Sequence, residues 1–124
     1  MSYVWGERII TVSSTQTGLP RITRVEIESV NPPNPVVGQD VNFTILIWFD
    51  RKLPAPTQIE VVMAMPMCTA TGCAPCSADY IFEKKTMTAP SGIDALKVTW
   101  TIRFGSPGKV KVCFGARVLG LMTR

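Results

Sequence analysis

The chain has 124 residues, 46% of them apolar and 18% charged, which is one domain's worth of material and unlike a disordered segment. Its net charge is +4, but the thirteen basic residues are scattered, with Arg51-Lys52 and Lys84-Lys85 the only doublets, so no concentrated basic patch argues for nucleic acid. Histidine is absent, which excludes Ser-His and Cys-His nucleophile pairs, type-one copper and the usual catalytic zinc sets.

Taken in chain order, the first element is a β-prone stretch from Tyr3 to Val12, within MSYVWGERIITV. Gly6-Glu7-Arg8 interrupts its apolar character, so it lacks a signal-peptide layout. A polar linker, Ser13 to Gly18, follows. The next strand is expected over residues 22–30, closed by the turn signal Asn31-Pro32-Pro33-Asn34-Pro35. Val41, Phe43, Ile45, Ile47 and Phe49 then alternate with other residues over 40–50, and Ile59, Val61, Met63 and Met65 do so over 57–67. Further strands are expected at 79–87, at 94–104 around Leu96, Val98, Trp100, Ile102 and Phe104, and at 109–119 around Val110, Val112, Phe114, Ala116 and Val118. Period-two alternation of this kind is what a half-buried antiparallel strand requires, because successive side chains point to opposite faces.

Seven short strands separated by Pro- and Gly-rich turns predict an all-β fold, an immunoglobulin-like antiparallel β-sandwich. Residues 21–124 form the sandwich and residues 1–20 an appended strand and linker. A compact chain of 13.6 kDa exposes about 6,600 Å² and hides roughly two-thirds of its unfolded surface. The longest apolar run, near Val61 to Cys68, is too short to span a bilayer. No Walker loop or dinucleotide-binding glycine pattern is present, and the chain reads as a non-enzyme.

The segments VEIESVNPPNPVVGQDVNFTILIWF, LKVTWTIRF and GSPGKVKVCFGARV carry a Pro-rich turn, a Gly-x-x-Val entry to a strand and a Pro-Gly turn before the last strand. Over about residues 22–119 this resembles the CARDB-type immunoglobulin-like domain, a cell-adhesion-related module of bacteria and archaea. The resemblance implies a sandwich and surface or assembly roles, with no catalytic residues. Such a domain has a final strand G paired with strand F. Here the strand matching F runs to about residue 119, and only Gly120 to Arg124 remain.

A missing edge strand leaves backbone N–H and C=O groups unpaired and invites another strand. The surplus N-terminal strand is the candidate to fill the gap, in its own subunit or in a neighbour by β-augmentation. The expected donor residues are Tyr3, Val4, Trp5, Ile9, Ile10 and Val12. The expected acceptor residues are Val110, Val112, Phe114 and Ala116.

Three of the four cysteines fall in CTATGCAPC, as Cys68, Cys73 and Cys76, with Cys113 distant. Disulfides are the first reading, Cys68 with Cys113 and Cys73 with Cys76, or another of the three connectivities. Such bonds imply an extracellular, cell-surface or virion setting, or a thermophile's cytoplasm. The alternatives are structural zinc on all four thiolates, a [2Fe–2S] cluster, and free thiols. The Cys-x4-Cys-x2-Cys spacing is similar to the plant-type ferredoxin loop, which implies Cys68, Cys73, Cys76 and Cys113 as ligands.

Other features read as structure. Met63, Met65 and Met67 alternate as core residues would, not as a copper site. Asn42-Phe43-Thr44 is a glycosylation sequon inside a strand, and Glu26 and Glu28 are solvated carboxylates rather than a glycosidase pair. Trp48 lies off the core phase, as a contact residue or one covered by a neighbouring loop. Three functions are in play: a self-assembling subunit of a fibre, pilus or virion surface, a [2Fe–2S] electron carrier, and a monomeric adhesion or protein-binding module.

Overall fold

The structure is a computed structural model that describes residues 2–10 and 20–121. The strands are β1 (Ile22–Asn31), β2 (Asp40–Phe49), β3 (Thr57–Ala64), β4 (Cys68–Thr69), β5 (Gly72–Cys73), β6 (Ile81–Ala89), β7 (Ala95–Arg103) and β8 (Cys113–Leu121). A single 3-10 turn, Ala78–Tyr80, precedes β6, and the Ser77 hydroxyl caps it by accepting from the Asp79 N–H at 3.2 Å.

Two three-stranded antiparallel sheets, β1-β2-β7 and β6-β3-β8, form an all-β sandwich. The inward rows follow the alternation in the sequence. Val41, Phe43, Ile45, Ile47 and Phe49 of β2 are buried against Ile59, Val61 and Met63 of β3, with Trp100 of β7 beside them. The Phe114 ring of β8 packs tilted on Phe43 at 5.3 Å and edge-on to Trp100 at 5.5 Å. The Met stripe divides: Met63 is buried and Met65 packs on the core, but Met67 is exposed.

Burial is uneven across the sandwich. The central strands β2 and β3 seal their inner rows, whereas the inward residues of β1 and β8 stay half-exposed. Ile27 of β1 is exposed outright. Both strands are sheet edges: β1 pairs with β2 alone and β8 with β3 alone among the described residues. The whole chain exposes 8948 Å², about a third more than the ~6,600 Å² of a compact chain of its mass.

Residues 2–10 correct the expectation of a strand over 3–12. They form no strand and pair with neither sheet, and every one is exposed. Tyr3, Val4, Trp5, Ile9 and Ile10 are 69–99% exposed. Val12 lies outside the described residues. The last strand also begins later than expected, at Cys113 rather than 109, so Val110 and Val112 precede it.

Candidate functional site: the open margin

Between the end of β1 and the connection that leads into β8, a groove of about 790 Å³ opens. Its floor is Val41 and Phe43 at the start of β2. One wall is the end of β1, with Ile27 and Val30, and the connection Pro33 to Val37 that leaves it. The other wall is the connection from β7 to β8, with Phe104, Pro107, Val110 and Val112. No charged residue lines it. Val36, Val37 and Val110, all on the rim, are about half to two-thirds exposed.

Two short connections position these walls. In the turn after β1, the Gln39 N–H donates to the Val36 carbonyl at 3.1 Å, and the Val36 N–H donates to Gln39 Oε1 at 3.2 Å. Gly38 sits at φ +83°, a conformation that side-chain-bearing residues rarely adopt. Its N–H donates to the Phe104 carbonyl at 3.0 Å, which joins the two walls at the head of the groove.

The acceptor residues expected along one edge therefore separate. Val110 and Val112 line the groove, but Phe114 packs inward on the core. Ala116 borders a smaller hollow of about 320 Å³ with Val62, Ile81 and Arg117. The greater part of the groove is built from the Pro-rich turns at 33–37 and 104–108, which the strand-centred sequence reading did not select. A signal was present: Val36-Val37, an apolar pair set just after Pro35 in a surface turn.

The four cysteines are paired as Cys68–Cys73 and Cys76–Cys113. This corrects the first-weighed pairing, Cys68–Cys113 with Cys73–Cys76. The physical reason is a small hairpin: Cys68 of β4 stands directly opposite Cys73 of β5, and Thr69 opposite Gly72. Gly72 is at positive φ, and the Thr69 hydroxyl donates to its carbonyl at 3.1 Å. Cys76 then reaches Cys113, the first residue of β8, with Cα atoms 6.0 Å apart. With the sulfurs paired, none is a thiolate for zinc or for a [2Fe–2S] cluster, both of which need deprotonated sulfur. Among the described residues no cluster of three or more His, Cys, Asp or Glu is placed to hold a metal ion.

The remaining singled-out residues lie on outer faces. Glu26 pairs with Arg24 at 3.7 Å and Glu28 with Lys97 at 3.4 Å, as solvated carboxylates do. Asn42 Oδ1 accepts from the Thr101 hydroxyl at 2.7 Å. Trp48 is half-buried, with the Arg24 guanidinium 5.1 Å above its ring. Among the described residues no helix is long and apolar enough to cross a membrane.

Comparison with family models, with curated proteins and with solved structures gives no significant match.

Proposed function

We propose that the protein is a non-catalytic structural subunit. It self-assembles when residues 2–10 of one copy enter the open margin of the next. The carrying observation is the pairing of an exposed apolar segment with an uncharged apolar groove at the head of an unpaired strand edge. A strand added there gains main-chain hydrogen bonds from the free edge and buries its apolar row, the two sources of affinity in β-augmentation.

Donation to a neighbour is preferred to donation within the chain, because the donor's root lies far from the groove. The linker joins the sandwich at Ile22, while the groove lies at the other end of β1, beside Val30. Ten residues of strand separate these ends, roughly 30 Å at about 3.3 Å per residue. The root of the donor and the acceptor groove thus lie at opposite ends of β1. A head-to-tail contact of this kind propagates into a filament unless its rotation closes a ring. Two disulfides suit an oxidising, extracellular setting, such as a pilus, a fibre or a virion surface. The resemblance to adhesion-related CARDB-type domains agrees with a surface role.

A complementation assay tests this reading. Trp5→Asp removes the donor and leaves the groove; Val112→Asp blocks the groove and leaves the donor. Each variant alone is expected to stay monomeric in sedimentation, and an equimolar mixture to give a 1:1 dimer with both ends capped. A mixture that remains monomeric while the unaltered chain assembles would show that assembly uses another surface.

A further inference from the structure

We infer that the Cys76–Cys113 disulfide builds the acceptor half of this site and has no part in the donor half; the inference rests on the strand-donation reading. The wall from Phe104 to Val112 pairs with neither sheet, for β7 ends at Arg103 and β8 begins at Cys113. Its near end is held by the Gly38 N–H on the Phe104 carbonyl. At its far end, Lys111 Nζ donates to the Ala74 carbonyl at 3.0 Å, and the disulfide ties Cys113 to Cys76.

Both far tethers run to one short loop, residues 74–77, which is itself anchored where the Ala74 N–H donates to the Met67 carbonyl at 2.8 Å. Val110 and Val112 reach the groove from between these tethers. Without the disulfide, that end keeps the Lys111 contact and the Cys113–Ala64 rung of the β8 ladder but loses its covalent tie to the 74–77 loop. Ordering the wall then has to occur when the strand binds, and that cost is subtracted from affinity. The other disulfide, Cys68–Cys73, closes only its own hairpin and touches no wall. Every one of residues 2–10 is exposed, so donation is expected to be independent of both bonds.

The test uses full-length chains in the complementation assay. Cys76→Ser/Cys113→Ser is expected to donate normally, forming a 1:1 complex with Trp5→Asp. It is also expected to fail as acceptor, forming none with Val112→Asp. Cys68→Ser/Cys73→Ser keeps both abilities. Amide hydrogen exchange of Cys76→Ser/Cys113→Ser should leave β2 and β3 with their protection. Normal acceptance overturns the inference. Should β2 and β3 lose protection as well, Lys111→Met decides with the disulfide intact. Loss of one hydrogen bond predicts roughly fivefold weaker acceptance and unchanged donation; equal acceptance overturns the proposal. Failure of Trp5→Asp and Val112→Asp to pair with each other strikes the strand-donation reading itself, a separate result.

Discussion

The sandwich has two lateral margins, and they are finished differently. At the margin of β6 and β7, charged side chains stand on the inward parity of an edge strand. Glu83 and Lys85 share the face of Met87 and Ala89 and stand opposite the buried Met63 and Val61, although both remain solvent-exposed. Glu83 accepts from the Trp100 indole N–H at 2.8 Å, and Lys85 Nζ lies 4.3 Å over the same ring. Inward charges on an edge strand oppose the addition of another strand, because pairing would desolvate them. At the margin of β1 and β8 no such guard exists. Its groove is uncharged, and the apolar rows beside it are half-covered. On the proposed reading, the unguarded margin is the place of contact.

The sharpest way to break this contrast is to give the open margin a guard. Val112→Asp places a charge inside the groove, and burying an unpaired carboxylate costs several kcal/mol. Assembly should fall by more than about a hundredfold in a sedimentation titration while the thermal melt holds, since Val112 is only partly buried. The converse change removes the guard from the closed margin. Glu83→Val/Lys85→Val should expose a second sticky edge and produce lateral clumping, visible as a sharp drop in solubility; unchanged solubility would deny these charges a protective role.

A smaller effect is expected from Glu83→Ala alone. It leaves the N–H of a fully buried Trp100 without its acceptor, a loss of about 1–3 kcal/mol in denaturant unfolding. Donation and acceptance in the assay should be unaffected. The smallest effect concerns the pole where the linker joins. Hydrogen bonds from the Arg51 side chain and the Arg21 backbone N–H hold Asp50 below the usual aspartate range. A lowered folded-state value means that this carboxylate's stabilisation is present above the ordinary aspartate pKa and is lost as pH falls through the depressed one. Carboxyl NMR shifts should place the Asp50 midpoint below that of a model peptide; a midpoint at the ordinary value contradicts the assignment.

Most of the architecture was legible because alternation and turn chemistry report burial directly. The inward rows of β2, β3 and β7 follow from period-two spacing alone. The N-terminal stretch misled because β-propensity describes a half-buried pleated surface, and Tyr3 to Ile10 have no surface to lie on within their own chain. The cysteine pairing was not deducible from spacing, since four cysteines allow three connectivities. It required the β4–β5 hairpin, whose only cue is Gly72 four residues after Cys68. The groove was missed for a related reason: its walls are turns, and turn residues carry no periodic signal for apolar function. Glu83 and Lys85 could have been found, because two charges on the phase of Ile81 and Met87 break the binary pattern of a core-facing strand.

Photo-crosslinking with isotope labels tests the central claim most directly. A benzophenone amino acid replaces Trp5 in an isotopically heavy chain, which is mixed with light chains lacking the probe, irradiated and digested. The account predicts heavy-to-light crosslinks from position 5 into the open margin, within residues 30–43 or 104–116. Crosslinks confined to the heavy chain's own peptides, or falling on the β6 and β7 margin, would contradict it.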